Sequence, residues 1–245
     1  MNRMMISLVL VESALQLVPE PIRAHPQIKR YAAKRGKDPG EVLLDRTFHH
    51  SSMISLARAG YPIEKMGRPD IVHNALLQVL ETPLNWEGFL QVFVHTQDDY
   101  VISVNSKIRL PKNYIRFVGL IEQLFDQRRV PSDGGSLLEM RKSTLPQLIK
   151  KVIPDRVVGF SILGKPEFLR VVTESVCRFK RPMVFIGAFP KGHFTDQTQQ
   201  LADEMYRIDR EGLDSSIVAG RFVYDCEACL GVVNNRIRIR GAQDE

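Results

Sequence analysis

One basic segment of the chain has the residue types that bind phosphate and stack on bases. The sequence NSKIRLPKNYIRF places Arg109, Lys112 and Arg116 at spacings of three and four residues, with Tyr114 among them. Guanidinium groups match phosphate oxygens, and an aromatic ring beside them can stack on an unpaired base. If a helix begins at Lys112, Lys112 and Arg116 share one of its faces. The segment is therefore a candidate phosphate-binding surface, with an ordinary solvated helix face as the open alternative.

A second candidate site is the sequence GRPDIVHNALL, in which Arg68 and Asp70 flank a proline. The proline favours an extended backbone at Arg68. Asp70 can then cap the following helix, or accept a hydrogen bond from Arg68 and hold the guanidinium in one orientation; the two roles are compatible. His73, one helical turn further on, is interpreted as a half-buried packing residue rather than a base.

Two irregular segments in the second half of the chain have the composition of ligand-binding loops. The sequence GAFPKGH follows a strongly apolar stretch and contains Gly187 and Gly192, which allow a ligand to approach the backbone closely. The dinucleotide fingerprint and the Lys-Ser/Thr pair of a phosphate-binding loop are both missing. The polar sequence IDREGLDSS at 208–216 leads into an amphipathic stretch. If these two loops lie side by side, they form a cleft for a cofactor.

The cysteines and the adjacent histidines lack the pattern of a metal or hydrolase site. Cys226 and Cys229 form a C-x-x-C pair inside an amphipathic stretch and Cys177 is isolated, so the four ligands of a structural zinc are not available. Both thiols of the pair are interpreted as core or near-core side chains. His49 and His50 are neighbours, which is a poor geometry for one metal ion. No metal site is predicted.

Composition restricts the class of protein. The chain has 245 residues, of which 25% are charged and 44% hydrophobic, and a net charge of +6. These values exclude disordered, collagen-like and disulfide-scaffold proteins. The longest apolar runs are far shorter than the roughly 20 residues of a membrane helix, and the N-terminal sequence lacks a signal-peptide cleavage site. With three cysteines, an odd number, we expect a soluble protein of the reducing cytoplasm.

The charge is unevenly distributed along the chain. Residues 21–68 contain ten Lys or Arg against four acids, and residues 100–121 contain four bases and no acid. From residue 201 onwards, six bases stand against nine acids. The first half is therefore expected to form a basic face for a polyanionic partner. The sequence shows no repeat and no long flexible linker, which favours a single domain.

Apolar strands alternate with amphipathic helices. The predicted strands, rich in Val, Ile and Phe, are 5–12, 89–96, 100–105, 157–163 and 183–189. The predicted helices are 22–34, 47–59, 70–80, 114–128, 195–208 and 216–230. The second and third strands, separated by a three-residue turn, form a hairpin. This order predicts a mostly parallel α/β sheet with ligands at the carboxyl ends of its strands, in the loops after Leu163 and Phe189.

Several motifs together resemble one known family. The pattern R-P-D-I-x-H, then P-L-N, then R-x-P-x-x-x-x-R-F is highly specific and is accompanied by VLVESALQLVP, LQVFVHT and FIGAFPKG. With these motifs the chain resembles the ribosome-biogenesis methyltransferases called nucleolar essential protein or essential for mitotic growth, of the SPOUT class. The resemblance extends over nearly the whole chain.

The resemblance implies a fold and an activity. The fold is of SPOUT type: a mostly parallel sheet with helices on both faces, a C-terminal trefoil knot and a small hairpin-containing extension. One methyltransferase domain covers 1–245, with an RNA-binding face mainly from 21–130 and cofactor loops from 160–231. The activity is transfer of a methyl group from S-adenosyl-L-methionine to nitrogen 1 of a pseudouridine in small-subunit rRNA, by a homodimer in the cytoplasm, or the nucleolus of a eukaryote. Ribosomal proteins or assembly factors are further candidate partners, and no membrane is involved.

The resemblance also assigns roles to residues. Arg68 contacts RNA at the catalytic centre and Asp70 steadies it, with an orienting role favoured over that of a general base. Arg109, Lys112 and Arg116 bind RNA; at Lys112 the family often has arginine, so bidentate phosphate recognition is lost there. The residues assigned to the cofactor are Leu163, Gly164, Lys165, Gly187, Gly192, Ile208, Asp209, Arg210, Glu211, Gly212 and Leu213.

Two other classes of function remain open from the sequence. An rRNA-binding assembly factor would keep the basic surface but would not need intact glycine loops. An enzyme acting on a small metabolite would keep the loops, and its RNA binding would be absent or independent of salt.

Overall fold

One sheet lies at the centre of the molecule. The structure, a computed structural model, describes residues 4–241, and within them eight strands pair into this sheet. The strands are β1 (Ile6–Ser13), β2 (Leu90–Thr96), β3 (Tyr100–Val104), β4 (Arg129–Val130), β5 (Leu138–Lys142), β6 (Arg156–Pro166), β7 (Pro182–Gly187) and β8 (Glu204–Arg207). Their order across the sheet is β4-β5-β3-β2-β1-β7-β6-β8. The first strand of the chain therefore lies in the interior of the sheet.

The pairing is parallel on the side of the sheet that contains β1. This strand pairs in parallel with β2 and β7, and β6 pairs in parallel with β7 and β8. The pairs β2–β3, β3–β5 and β4–β5 are antiparallel. The mostly parallel sheet and the hairpin between the second and third predicted strands are confirmed. The C-terminal trefoil knot stays a prediction.

Helices connect the strands. They are α1 (Glu20–Arg23), α2 (Pro26–Lys34), α3 (Arg46–Arg58), α4 (Pro69–Leu80), α5 (Pro83–Trp86), α6 (Tyr114–Gln127), α7 (Leu145–Val152), α8 (Leu169–Val176), α9 (Asp196–Gln200), α10 (Ser215–Cys229) and α11 (Val232–Gly241), with a 3-10 turn at Ile63–Lys65. None of the helices within residues 4–241 combines the length and the apolar character needed to cross a bilayer.

The alternation of side chains along β1 creates two cores. Leu8 and Leu10 point into one core with apolar residues of α4, α6, α8 and α10. Val9 and Val11 point into the other with residues of α7 and with Phe194. Because successive strand residues face opposite sides, the apolar run at residues 8–11 must be covered on both faces. The expected helices on both faces of the sheet are confirmed.

The predicted helix 195–208 is wrong. The chain forms only the short helix α9 and then β8, which pairs with the edge of β6. The spacing of Leu201 and Met205 fits a helix, but Tyr206 pairs with Phe160 across the sheet and is buried. Pairing with an open strand edge outweighs local helical propensity here.

The predicted helix 22–34 is divided into α1 and α2. The break falls at His25, whose backbone is extended (ψ 134°) because Pro26 follows it. Sequence analysis also missed short elements, among them β4, β5, α8 and α11. One missed element, α7, had a clear signal: Thr144 and Gln147 form a capping box at its start.

Residues 18–66, which we call the insert, form a small apolar cluster of their own. The members of this cluster include Val18, Ile22, Ile28, Leu44, Met53 and Leu56. Glu122 on α6 joins the insert to the main body. Its buried carboxylate accepts hydrogen bonds from Arg35 at 2.8 and 2.9 Å, from Lys37 at 2.8 Å and from the Leu43 amide at 3.0 Å. Because two cations and one amide converge on it, this carboxylate fixes the insert relative to α6.

We expect Glu122→Ala to destabilise the protein by about 3–5 kcal/mol, since it leaves two partly buried cations and one buried amide without an acceptor. Urea unfolding followed by circular dichroism measures the change. Glu174→Ala is the matched control, because the Glu174 pair with Arg170 is exposed on α8 and should contribute little. An equal effect of both substitutions would contradict the anchoring role of Glu122.

Candidate active site

A cavity of about 380 Å³ opens at the edge of the sheet where parallel strands end. Its walls come from five parts of the chain: residues 160–162 of β6, the end of β7 with the following loop, the end of β8 with the following loop, the first turn of α10, and Arg68 with the first turns of α4. Ser215 Oγ donates a hydrogen bond to the Gly187 carbonyl and joins the two loops. The predicted location, at the carboxyl ends of strands, is where α/β sheets bind ligands.

Most of the residues predicted to bind a cofactor surround this cavity. Gly187, Gly192, Ile208, Asp209, Glu211, Gly212 and Leu213 line it, whereas Arg210 lies in the same loop without forming part of the wall. The expectation that the two irregular loops lie side by side is confirmed. Contact between these residues and a cofactor stays a prediction.

Leu163, Gly164 and Lys165 do not line the cavity. The predicted strand end at Leu163 is wrong, because β6 continues to Pro166 through an irregularity in its pairing with β8. Leu163 is 60% exposed, and a Cβ on Gly164 would lie 2.6 Å from the backbone of Met205. Gly164 therefore allows β8 to pack closely on β6, while the cavity wall is formed by the preceding residues 160–162.

Arg68 and Asp70 form a bidentate ion pair on the wall of the cavity. Arg68 Nε and Nη2 each donate a hydrogen bond of 2.7 Å to the Asp70 carboxylate, and both residues line the cavity. Asp70 makes no capping bond to α4. Of the two roles open from the sequence, the structure shows the second: Asp70 holds the guanidinium in one orientation.

The predicted helix 114–128 is confirmed as α6, so the basic segment does not form a helix from Lys112 and Lys112 does not share a helix face with Arg116. Helix α6 begins at Tyr114, and the Asn113 side chain caps it by accepting a hydrogen bond from the Arg116 amide at 3.1 Å. Arg109 and Lys112 lie in the preceding loop and are exposed, as is Arg116. Lys112 forms an exposed ion pair with Glu81 at 3.3 Å. Capping explains the later start, since Asn is a much better N-cap than Lys.

Arg109 and Arg116 have no ion-pair partner among the residues that the structure describes. Arg116 also lies in the first turn of α6, where the helix dipole disfavours a cation. Both guanidinium groups are exposed and are not engaged by an acid of the described chain, so they are available to an external anion.

Two contacts fix the basic segment to the rest of the molecule. His73 Nε2 lies 2.7 Å from the Pro111 carbonyl oxygen, and the His73 ring stacks on Phe117 at 4.3 Å. The Tyr114 hydroxyl donates a hydrogen bond to Asp45 of the insert. Burial and the Asp45 carboxylate raise the pKa of Tyr114, so its proton stays in place. The packing role of His73 is confirmed, although the ring is fully rather than half buried.

Sequence analysis missed Asp45, which organises the start of α3. Its carboxylate accepts from the Thr47 amide at 2.8 Å, and its own amide donates to Nδ1 of buried His49 at 3.0 Å. Because Nδ1 accepts this hydrogen bond from the Asp45 amide, it must be unprotonated, so His49 is neutral with its proton on Nε2. Burial, opposed in part by Asp45, lowers the pKa of His49 to about 4. His50, its neighbour, is exposed.

The thiols differ from the prediction in one respect. Cys226 is buried as expected, but Cys229 is exposed rather than near the core, because it lies at the end of α10 on the solvent side. Cys177 is partly buried. Within residues 4–241, no group of three or more His, Cys, Asp or Glu side chains could hold a metal ion.

The residues that form the cavity and the basic segment all lie within one match to a known family. The model of the EMG1/NEP1 methyltransferase family matches residues 8–227, from β1 to α10. The chain belongs to this family. The matched range includes both cavity loops, the Arg68–Asp70 pair and the basic segment, so the resemblance stated from the motifs is confirmed.

Relatives of known name agree with the family assignment. The chain is 40% identical to the ribosomal RNA small subunit methyltransferase Nep1 of Thermococcus kodakarensis, over 93% of this chain and 100% of that protein. It is 41% identical to the enzyme of the same name from Pyrobaculum calidifontis, over 92% and 99%. Archaeoglobus fulgidus Nep1 bound to S-adenosylhomocysteine has a similar structure, with a TM-score of 0.81 and 34% identity over 93% of this chain and 100% of that one.

The neutral state of His49 predicts a pH-dependent stability. The unfolded histidine, with a pKa near 6.5, binds a proton that the folded one does not. The contribution of neutral His49 to the free energy of unfolding is therefore fully present above about pH 6.5. It declines as the pH falls towards 4, by at most about 1.4 kcal/mol per pH unit.

We expect the free energy of unfolding, measured in urea between pH 7 and 4.5, to fall less steeply in His49→Gln than in the wild type. His50→Gln, a substitution of the exposed neighbour, should keep the wild-type slope. His95, whose pKa burial also lowers, is present in all three proteins and contributes equally. A slope in His49→Gln as steep as in the wild type would exclude His49 as the titrating group.

Proposed function

We propose that this EMG1/NEP1 family member transfers a methyl group from S-adenosylmethionine to nitrogen 1 of a pseudouridine in an unpaired loop of small-subunit rRNA, as a homodimer that acts in ribosome biogenesis. The observation that carries this proposal is that the Arg68–Asp70 pair and the two glycine-containing loops line the same cavity. Relatives named as small-subunit rRNA methyltransferases, and a related structure that binds S-adenosylhomocysteine, support it. A cytoplasmic or nucleolar location belongs to the same proposal.

The cavity has the size and the chemistry for this cofactor. About 380 Å³ lies within the range of small-molecule sites. Phe160, Ile186 and Leu213 provide apolar walls for a flat base and for the carbon chain of the methionine part, and Asp209 and Glu211 provide carboxylates. When bound, S-adenosylmethionine supplies an electrophilic methyl group on a positively charged sulfur, which these carboxylates would stabilise.

Arg68 and Asp70 are suited to positioning the target nucleotide. Sequence-specific RNA enzymes act on bases that are unpaired and turned out of the stack. The guanidinium of Arg68 is oriented by Asp70 and is partly exposed on the cavity wall, where it can bind a phosphate or a base edge. Both hydrogen bonds of the pair run to the Asp70 carboxylate, which favours an orienting role over proton abstraction. Close and in-line positioning is expected to provide much of the rate enhancement.

The helices α8 and α10 support the proposal of a homodimer. Phe168 is 80% exposed and Tyr224 is 70% exposed, and Val171 and Ile217 are also exposed. Apolar side chains grouped on one surface are typical of an interface between protein chains. Ser216 belongs both to this surface and to the cavity wall. A second copy bound here would therefore adjoin the cavity.

Substitutions of the unpaired guanidinium groups test the RNA-binding surface. We expect Arg109→Ala and Arg116→Ala each to weaken binding of an rRNA hairpin and to reduce the slope of log affinity against log salt by roughly 0.7. Fluorescence anisotropy at several salt concentrations measures both quantities. Arg178→Ala, which removes an exposed arginine outside residues 21–130, should change neither. Affinity for S-adenosylhomocysteine should stay at the wild-type value in all three variants.

A methyl-transfer assay with labelled S-adenosylmethionine tests the reaction. The same small-subunit rRNA hairpin is offered with uridine or pseudouridine at the target position, and label is expected on the pseudouridine RNA alone. Gly187→Ala should abolish transfer and retain RNA affinity, because its Cβ would lie 2.9 Å from the Phe189 ring and push that ring from its place on the cavity wall. Gly135→Ala, whose Cβ meets open space, is the control.

Two outcomes of this assay would contradict the proposal. An assembly factor would be favoured if the wild-type protein binds RNA tightly, labels neither RNA and does not bind S-adenosylhomocysteine. Absence of salt-dependent RNA binding would favour an enzyme acting on a small metabolite.

A further inference from the structure

Glu12, at the carboxyl end of β1, is a buried carboxylate that the proposed reaction does not use. Only 5% of the residue is exposed, and its φ of +51° is unusual for any residue other than glycine. The backbone turns here as β1 runs beside the cavity loop: Val11 pairs with Gly187, and the Ala188 amide donates to the Val11 carbonyl at 3.0 Å. Glu12 is therefore held next to the loop that follows β7.

The Glu12 carboxylate binds two segments that are distant in the sequence. Oε1 accepts hydrogen bonds from the Thr195 amide at 2.8 Å and the Thr195 hydroxyl at 2.9 Å. Oε2 accepts from Lys65 Nζ at 2.5 Å. Burial raises the pKa of Glu12, but the bonds from Lys65 and Thr195 lower it to a greater extent, so the net pKa lies below its usual value and the group is charged.

Lys65 extends the connection to the cavity wall. Its Nζ also donates to the His193 carbonyl and lies 4.3 Å from the centre of the Phe189 ring. Phe189, His193 and all the residues between them line the cavity. The loop 188–195 is therefore held at its end by Glu12 through Thr195, and at Phe189 and His193 by Lys65.

Lys65 and a pair of backbone hydrogen bonds also connect this loop to Arg68. Lys65 ends the 3-10 turn of the insert, three residues before Arg68. The Arg68 amide donates to the Ala14 carbonyl at 3.3 Å, and the Ala14 amide donates to the carbonyl of Ala188, the first residue of the loop, at 2.8 Å. A movement of Arg68 on binding an anion would thus be transmitted to both ends of the loop, by the backbone at Ala188 and by Lys65 and Glu12 at Thr195.

We propose that Glu12 and Lys65 are positioning residues that hold the loop 188–195 in its cavity-lining form and couple that form to RNA bound at Arg68. RNA and cofactor then bind cooperatively, each tightening the other by the same factor. This inference rests on the proposed function, since it requires the cavity to bind S-adenosylmethionine and Arg68 to contact RNA.

Lys65→Met tests the inference, because it keeps an apolar stem and removes the charge and its donors. Lys150→Met is the matched control: it makes the same change at an exposed site on α7, away from the cavity wall. The first readout needs no ligand. Trypsin cleaves after the exposed Lys191 in the middle of the loop, and cleavage there should be faster in Lys65→Met than in the wild type or the control, because a released loop opens more often.

The second readout is the affinity for S-adenosylhomocysteine by calorimetry, with and without the pseudouridine hairpin. We expect the hairpin to tighten binding by about fivefold or more in the wild type and the control. In Lys65→Met we expect binding to the free protein to weaken about tenfold and the effect of RNA to disappear. In steady-state kinetics, KM for S-adenosylmethionine should rise, and KM for RNA at saturating cofactor should rise by the lost coupling factor, while kcat stays near its wild-type value. General destabilisation would not produce this split.

The outcomes separate this inference from the proposed function. A wild type that fails to bind S-adenosylhomocysteine contradicts the proposed function. A wild type that binds it normally, beside a Lys65→Met variant with unchanged affinity, coupling and cleavage at Lys191, contradicts only the positioning role. If Lys65→Met does not fold, the double variant Glu12→Gln/Lys65→Met removes both charges together. It should show the same loss of coupling, and retained coupling would overturn the inference.

Discussion

The parallel pairing of β1, β7, β6 and β8 is the constraint on which the site depends. Because parallel strands end at the same edge, the chain segments that leave β7 and β8 meet there, and β1 delivers Glu12 and Ala14 to the same place. No single segment has enough side chains to surround a ligand. The hydrogen-bond ladder of the sheet brings together residues that are more than 100 positions apart in the sequence, and the cavity is the space that remains between their loops.

Carboxylates connect the parts that the sheet does not hold. Glu122 joins the insert to α6, Asp45 joins it to the basic segment, Glu12 joins it to the cavity loop, and Asp70 orients Arg68. In each case one acid binds groups from separate stretches of chain or fixes a cation. A buried carboxylate with several donors is stable only when all of them are in place. The relative positions of the basic segment and the cavity are thus specified by directional bonds rather than by apolar packing alone.

The sequence predicted the central strands, the hairpin and both cavity loops, since apolar runs and glycine-rich turns are local signals. It failed where contacts between residues that are distant in the sequence determine the local structure. Residues 195–208 have helical spacing, yet part of them pairs with β6. The contacts of Glu12 and Lys65, and the bond between Asp45 and Tyr114, had no local signal, because these partners lie far away in the chain. The resemblance to the family, carried by short motifs, reached the function without this information.

Gly164 shows how a residue can influence a site that it never touches. The backbone of β8 approaches it so closely that any side chain would displace Met205 and Tyr206. The loop that forms one wall of the cavity begins two residues beyond Tyr206. A profile of tolerated substitutions along the chain would therefore mark Gly164 as strictly as a ligand-binding residue. The intolerance of substitution at Gly164 reflects the short distance between β6 and β8. A survey of the residues that contact the substrate would not identify Gly164.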